Sequence, residues 1–322
     1  MRPPCELRLA RGPSPLVTRP ELRPDLGAIG YCAAPPMEIT EPRAEPADLL
    51  ERIAGNHDWY HTIELAPGVL TPGRVDTRAV VDRVPLPPSL AGLRCLDIGT
   101  WDGFWAFEME RRGAAEVHAL DVPDPYRWDW PARSRIRESY DGGKENLELI
   151  RTRGNGFPIA SEALGSSVER HELTVYEISP ESLGMFDFVF VGSILLHLRD
   201  PVGALERIRT VAAGEVVFNE CFEYVLTKLH PRTPMARLDA EDRCWWWQPN
   251  LAALHSMIEQ AGYEILERGK PYFMPFGPSY VKPRQGPREV LRRVRTLKGL
   301  EELVLYRRGI AHAPIRTRAL SA

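Results

Sequence analysis

From residue 93 onward, short apolar runs alternate with segments whose apolar residues recur every three or four positions. Short runs bounded by turn signals predict buried strands, and the periodic segments predict amphipathic helices. We predict strands at 93–98, 116–121, 168–175, 186–191, 216–218 and 263–266, and helices at 104–112, 144–152, 158–164, 201–211 and 251–260. Strands that alternate with helices form a mostly parallel sheet covered on both faces. The predicted fold class is therefore α/β, with one domain at 89–281 that contains an insertion near 221–247.

The first 88 residues have a different pattern. Residues 1–46 contain ten prolines and no hydrophobic period, so we predict a disordered extension there. Met37 stands just before the pattern improves, and we expect translation to start at or near it. Residues 47–88 combine a short amphipathic helix with Pro-Gly pairs at 67–68 and 72–73, which are typical of a hairpin. We interpret 47–88 as an N-terminal lid or cap.

Composition excludes several classes of protein. The chain has 322 residues, of which 43% are hydrophobic, enough for a sizeable core. It contains no run of about 18 apolar residues, so we expect no membrane-spanning helix. The five cysteines have no CxxC spacing and support neither a zinc site nor a disulfide framework. We expect a cytoplasmic protein without a metal.

The net charge of −3 hides an uneven distribution. Residues 282–322 hold eleven basic and three acidic side chains, so the rest of the chain must carry an acidic excess of eleven. We predict a basic helical tail over 282–322. Such a tail is either a solvated amphipathic helix or a surface that follows RNA phosphates, and the sequence leaves both open.

One connection between a predicted strand and a predicted helix carries the strongest chemical signal. Residues 96–104 read LDIGTWDGF, with two glycines four positions apart. Ligands of open α/β sheets bind where strands end in such loops, because glycine lets the backbone approach a ligand closely. Asp121 ends the next strand, 22 residues after Gly99, close to the spacing of about 20 for an acid that binds ribose hydroxyls.

The residues between the glycines discriminate between two cofactors. A dinucleotide enzyme needs a glycine where this loop has Trp101, and Asp102 would add a negative charge beside the pyrophosphate. S-adenosylmethionine has no phosphate and carries a cationic amino group, which an acid at Asp97 or Asp102 would favour. The loop therefore predicts S-adenosylmethionine and disfavours a dehydrogenase.

Together with three further motifs, this loop makes the sequence similar to a known family. The motifs are WYHTIEL at 59–65, TPG at 71–73, LDIGTWDGFW at 96–105 and LLHLRDP at 195–201. Over residues 56–268 the chain resembles class I S-adenosylmethionine-dependent methyltransferases, in particular the tRNA wobble-uridine (5-methoxyuridine/carboxymethoxyuridine) methyltransferase-like family. The resemblance implies a Rossmann-like fold.

The resemblance also implies individual roles around the cofactor. It places Gly99, Thr100 and Gly103 along the methionine part, Asp97 or Asp102 near the amino group, Asp121 on the ribose, Val122 and Tyr176 beside the adenine, Ser193 and His197 at the reacting end, and Tyr60 and His61 on the lid. The sequence departs from the carboxymethyl-transferring relatives, because Leu196 stands where a tyrosine is expected and residues 67–73 contain no Lys or Arg. A buried carboxylate without a partner is costly, so we predict methyl transfer from ordinary S-adenosylmethionine.

Three groups of residues are candidates for the acceptor side, each with an alternative. His197 is either a general base or substrate contact, or a structural histidine that fixes its loop. Trp246 and Trp247 either line a substrate pocket or pack the insertion onto the sheet. Asn219 and Glu220 either bind a polar acceptor or form a solvated rim.

Three functions remain open at this point. The first is methyl transfer to an oxygen or nitrogen of a small molecule, and the second is methylation of tRNA wobble uridine, which the basic tail favours. The third is a non-catalytic S-adenosylmethionine-binding protein. The acceptor and the oligomeric state are not determined by the sequence.

Overall fold

A computed structural model describes residues 46–131, 154–239, 245–281, 286–306 and 308–320. Of the predicted elements, the helix at 144–152 and, Pro46 apart, the disordered extension at 1–46 lie outside these ranges. The strands are β1 Glu64–Ala66, β2 Val69–Leu70, β3 Arg94–Ile98, β4 Glu116–Leu120, β5 Glu169–His171, β6 Phe186–Gly192, β7 Ala212–Cys221, β8 Ala236–Leu238, β9 Trp247–Pro249, β10 Tyr263–Arg268, β11 Tyr272–Met274 and β12 Ile310–Ala319. The helices are α1 Pro46–Gly55, α2 Phe104–Arg111, α3 Gly156–Leu164, α4 Pro180–Leu183, α5 Pro201–Val211, α6 Tyr224–Leu229, α7 Leu251–Gln260, α8 Pro287–Arg293 and α9 Leu297–Leu305.

The main sheet follows the order β5-β4-β3-β6-β7-β12-β10, and β11 also pairs with β12. Strands β5, β4, β3, β6 and β7 are mutually parallel, and β12 is antiparallel to both β7 and β10. Up to β7 this is the 3-2-1-4-5 order of a doubly wound sheet. The predicted α/β class is confirmed, and the fold is Rossmann-like with one antiparallel strand inserted near its edge.

Alternation along the strands separates two hydrophobic cores, one on each face of the sheet. Leu96 and Val189 belong to one core, whereas their neighbours Cys95 and Phe190 belong to the other. Helices α5 and α7 cover the first face, and α2, α3 and the N-terminal segment cover the second. Both faces of the central strands are buried, which explains why β6 is an almost continuous apolar run.

The prediction of a basic helical tail at 282–322 is wrong for its final part. Helices α8 and α9 are present, but residues 310–319 form the interior strand β12. Pro314 argues against an interior strand because it cannot donate a ladder hydrogen bond. It is tolerated here because its carbonyl faces Gly269, in the short connection between β10 and β11 (N···O 2.9 Å). In a strand, the N–H and the carbonyl of one residue point to the same side. The N–H that Pro314 lacks would therefore point to the connection between β10 and β11, where the partner strand is interrupted.

The third predicted strand, 168–175, is also shorter than expected. Only β5 forms, and a 3-10 turn at Val175–Glu177 follows it. Thr174 and Glu177 form a reciprocal capping box at this turn, and that local hydrogen bonding ends the strand.

Candidate active site

The loop after β3 is held in an unusual backbone conformation. Gly99 and Gly103 have φ angles of 81° and 94°, and Trp101 between them has φ 50°. A Cβ on Gly103 would lie 2.4 Å from the Phe107 ring, so both space and conformation require glycine there. The amides of Gly99 and Thr100 donate to the carbonyl of Leu120. The loop is thus fixed against the carboxyl end of β4.

Asp97 provides an unsatisfied acceptor beside this loop. Its side chain is 1% exposed, and its Oδ2 atom makes no hydrogen bond within the described residues. The Thr100 hydroxyl is buried beside the same carboxyl, and its interaction with Asp97 acts to lower the pKa of that carboxyl. Burial raises the pKa of Asp97 to about 7. A buried carboxyl in this state fits a ligand that brings a cationic donor.

Asp102 has different partners, because it binds the N-terminal segment at Tyr60 and His61. Its carboxylate accepts hydrogen bonds from the amides of Tyr60 and His61, each at 2.8 Å, and it also pairs with His61 Nδ1. The His61 ring stacks on Phe104 at a centroid distance of 5.5 Å. Of the two acids that could face a cofactor amino group, only Asp97 therefore keeps an acceptor atom without a partner.

Asp121 lies at the carboxyl end of β4, as the spacing predicts. It accepts hydrogen bonds from the amides of Trp101 and Val122, and burial raises its pKa. The Val122 carbonyl in turn accepts from the Trp128 indole at 2.7 Å. Trp128 stacks on Trp130, with ring centroids 5.7 Å apart and 22° between their planes. An acid beside flat indole faces suits a nucleoside.

Sequence reasoning missed Trp128 and Trp130. Trp128 also lies 6.1 Å from Trp101, so the three indoles form what we call the tryptophan wall (Trp101, Trp128, Trp130). The available signal was a tryptophan-rich stretch shortly after Asp121. Tyr176, predicted near the adenine, donates to Asp129 in the same connection at 2.7 Å and so fixes this loop.

A second group of polar side chains, buried or half-buried, lies at the carboxyl ends of β6 and β7 and on β11 and β12. Ser193 Oγ is 2.7 Å from His312 Nε2, and Cys221 Sγ lies within 3.5 Å of both side chains. The Asn219 side chain accepts from the Tyr272 hydroxyl at 3.0 Å. We call these residues the acceptor cluster (Ser193, Asn219, Glu220, Cys221, Tyr272, His312).

Glu220 and Asn219 are each 1% exposed, which excludes the solvated rim that was one alternative for them. The Glu220 carboxyl accepts from the amides of Ile194 and Leu195, and burial raises its pKa to about 8. Burial raises the pKa of Tyr60, and charges at Cys221 and Glu220 add to this effect. Tyr60 therefore lies near this group. The lid, the glycine loop and the acceptor cluster therefore surround one region.

Backbone strain marks the same region. Among the described residues, the non-glycine positions with positive φ are Trp101 and Ser193 (φ 53°), and each follows the carboxyl end of a central strand. Such a conformation costs about 1–3 kcal/mol and persists only where the surroundings impose it. Strain at these two loops points to a functional site between them.

His197 and the tryptophans of the insertion lie at the side of this region. His197 ends the 3-10 turn Leu195–His197 and is half-buried, with its ring 6.5 Å from that of Trp245. Trp246 donates through its indole to the carbonyl of Asp129 and through its amide to that of Leu196. Trp247 donates to the carbonyl of Arg199 at 3.1 Å. These contacts attach the β8–β9 hairpin to the loops around the site.

His312 was also missed, because the sequence places it in a segment interpreted as a solvated tail. Its Nδ1 lies 2.9 Å from the carbonyl of Ile310, and burial lowers its pKa to about 4. A neutral imidazole that donates from Nδ1 has its lone pair on Nε2, facing Ser193.

Comparisons with known proteins add a likeness in fold. No protein-family model and no curated protein matches the chain. The N-terminal domain of EvdMO1 in the presence of SAH and D-fucose is 16% identical and covers 86% of this chain and 97% of its own, with a TM-score of 0.47. The [4+2]-cyclase SpnF is 16% identical (86% and 93% covered, TM-score 0.43), and an S-adenosylmethionine dependent methyltransferase from Mesorhizobium loti is 12% identical (74% and 96%, TM-score 0.39). These likenesses are distant and concern the fold alone.

Proposed function

We propose that this protein is an S-adenosylmethionine-dependent methyltransferase that acts on an oxygen or nitrogen of a small molecule. The observation that carries the proposal is the buried Asp97 carboxyl, whose Oδ2 has no hydrogen-bond partner among the described residues, beside a left-handed glycine loop. The amino group of S-adenosylmethionine would satisfy it. Asp121 would bind the ribose, and the tryptophan wall would hold the adenine.

The chain's own residues would orient the two reactants. The cofactor supplies an electrophilic methyl group on a sulfonium, and transfer is an in-line displacement that depends mainly on positioning. An acceptor hydroxyl or amine loses a proton as the new bond forms. We place that proton on the Ser193–His312 pair, since Ser193 can donate to the lone pair of His312 Nε2 while it accepts from the acceptor. His197 is the second candidate base.

His312→Gln is expected to lower methyl transfer at least about tenfold while S-adenosylmethionine affinity changes less than about twofold. A general base contributes about 10²–10⁴ when its pKa lies near the working pH, and burial keeps the pKa of His312 below that range. Turnover and calorimetric cofactor binding would be measured in parallel, on an acceptor found by the screen below. His197→Ala is the matched comparison, with an expected loss below about tenfold. The opposite ranking would move the base role to His197.

Ion pairs within the tail weaken the alternative of a tRNA acceptor. Arg293 of the tail pairs with Glu289 and Glu302, Lys298 pairs with Asp239, and Arg316 lies 3.5 Å from Glu215. These three cations therefore have local acidic partners, which leaves less positive charge for an RNA backbone. The acceptor cluster is also buried, which suits a small molecule better than a polymer.

Binding and transfer experiments test the proposed function together. Calorimetry with S-adenosylmethionine is followed by transfer of its labelled methyl group to a panel of hydroxylated and amine-bearing small molecules and, separately, to bulk tRNA. Labelling of a small molecule is the expected result. Labelling of tRNA alone would favour the RNA enzyme, binding without transfer to any acceptor would favour a binding protein, and absence of binding would reject the proposal.

Ordinary S-adenosylmethionine is expected to bind at least about tenfold more tightly than its S-carboxymethyl analogue, because a buried carboxylate needs a charged or hydrogen-bonding partner. Competition calorimetry with the two compounds measures this ratio. Arg74 is the first cation after the 67–73 stretch, and its charge acts on Tyr60. If the carboxylated compound binds more tightly, the prediction is wrong, and Arg74→Ala would identify whether Arg74 holds the extra carboxylate.

A further inference from the structure

Two histidines face each other on the strands β4 and β5, outside the proposed active site. His118 pairs with Glu169 in the parallel register, and Leu120 pairs with His171. The planes of the His118 and His171 rings are 13° apart with centroids 4.9 Å apart, and the rings meet edge to edge, with His118 Nδ1 2.7 Å from His171 Nε2. His118 is 4% exposed, so the pair is covered on its inner side.

A carboxylate completes the group. Glu169 Oε2 lies 3.9 Å from His118 Nδ1, and Oε1 lies 3.5 Å from His171 Nε2. One ligand atom of each residue falls within 4.8 Å of the others. Two imidazole nitrogens and a carboxylate oxygen therefore lie close enough together to bind one ion, and the exposed Glu169 leaves the group accessible from solvent.

The other nitrogen of His118 is held as in many metal sites. His118 Nε2 lies 2.5 Å from Glu116 Oε1, and Arg94 fixes the other oxygen of Glu116 at 2.9 Å. Metal-bound histidines usually donate their second N–H to a carboxylate, which sets the tautomer. When a metal binds Nδ1, the proton of His118 stays on Nε2, which faces Glu116 Oε1. Arg94 donates through Nε to Glu116 and through Nη1 to the carbonyls of Leu183 and Met185, while its Nη2 lies 3.0 Å from His118 Nε2 and shares that nitrogen with Glu116.

We propose that His118, His171 and Glu169 bind a divalent transition metal of the zinc type, with Glu116 as the outer carboxylate. Imidazole with carboxylate suits zinc, whereas magnesium and calcium prefer oxygen ligands. The metal would replace the hydrogen atom that lies between His118 Nδ1 and His171 Nε2. That hydrogen would move to Nδ1 of His171. Zinc–nitrogen bonds of about 2.0–2.1 Å place tetrahedral ligands about 3.3 Å apart, so the two nitrogens need to separate by about 0.6 Å and the two rings need to tilt until both lone pairs point at the metal.

The position of the site indicates a structural role. The metal would connect β5, at the end of the described sheet, to its neighbour β4. The carbonyl of His171 accepts from the amide of Asp121 at 3.1 Å, so the same residue supports the acid proposed to bind ribose. The fourth coordination position is left to water, because three protein ligands converge here.

The test uses the full-length protein after chelator treatment. Titration with ZnCl₂ by calorimetry is expected to give one site per chain, CoCl₂ is expected to give the visible absorption of a low-symmetry site, and MgCl₂ is expected to give no binding. His171→Ala should weaken zinc binding at least about 100-fold, and Glu116→Gln should weaken it about 10- to 100-fold. The control is His255→Ala, which replaces a histidine on α7 and should leave zinc binding unchanged. Zinc should also raise the melting temperature of the wild type but not that of His171→Ala.

Equal zinc affinity in wild type and His171→Ala, or no zinc binding by a wild type that is folded by circular dichroism, would overturn the proposal. His171 and Glu169 are the preferred positions for substitution, because they are more exposed than His118 and their variants are expected to fold. The measurement needs neither cofactor nor acceptor, so its outcome is independent of the proposed methyltransferase activity.

Discussion

Asp97→Asn is expected to weaken S-adenosylmethionine binding by about 10- to 100-fold. The carboxylate would make a charge-assisted hydrogen bond to the cofactor's ammonium group, and such bonds contribute about 1.5–3 kcal/mol. Isothermal titration calorimetry measures the change directly. Asp82→Asn, which removes an exposed carboxylate elsewhere on the chain, is the control and should bind as the wild type does. If Asp97→Asn binds S-adenosylmethionine with unchanged affinity, Asp97 does not bind the cofactor's amino group, and the proposed function loses its main support.

The raised pKa of Asp97 also predicts that S-adenosylmethionine binding depends on pH. Its pKa is raised from 3.8 to about 7, so without cofactor the folded chain holds this proton more tightly than the unfolded chain does. Ionisation of Asp97 therefore costs stability as pH rises between those two values. The cofactor's ammonium prefers the ionised form, so affinity should rise between about pH 5.5 and about pH 7.5 and then level off. In Asp97→Asn this slope should be much smaller.

Removal of residues 309–322 is expected to prevent cooperative folding. Strand β12 lies between β7 and β10, and β10 pairs with β12 within the described sheet. Its loss leaves the buried face of Phe218 without cover and the edge of β7 unpaired. We expect an insoluble protein, or one without a sigmoidal urea transition followed by circular dichroism. A truncated protein that unfolds at the wild-type midpoint would contradict this placement of the strand.

Two point variants on β12 test whether its buried side chains stabilise the core while the strand itself is kept. Ile315 is fully buried, and Ile315→Ala should lower the free energy of unfolding by about 2–5 kcal/mol. Arg318 is exposed on the same strand, and Arg318→Ala should change it by less than about 0.5 kcal/mol. Equal effects of the two substitutions would mean that Ile315 is not in the core.

The sequence predicts the elements whose signals are local. The apolar run of β6, the glycine loop after β3 and the acid at the end of β4 each depend on a few neighbouring residues, and each lies where it is predicted. Strand β12 does not have such a signal, because its charged residues and Pro314 hide a pattern that only pairing with β7 explains. The paired residues of β7 and β12 are 91 to 103 positions apart, and a partner so distant leaves no periodicity in the strand itself.

The site follows the same rule. The candidate cofactor residues of the glycine loop could be predicted from spacing, whereas the lid contacts of Asp102 join residues 41 and 42 positions apart. His312 could not be placed beside Ser193 without knowing that β12 enters the sheet, since 119 positions separate them. Long-range contacts of this kind depend on topology, and a single sequence does not contain it.

The insertion of β12 also determines the order in which this chain can fold. Strands β3 to β7 can pair as they are synthesised, but β10 must wait for a strand that follows it by more than 40 residues. Until then the hydrogen-bonding edge of β7 is open, and unpaired edges favour aggregation. Contacts this distant in sequence also slow folding. The sheet is therefore most vulnerable late in synthesis, when nearly all of it exists and one strand is still missing.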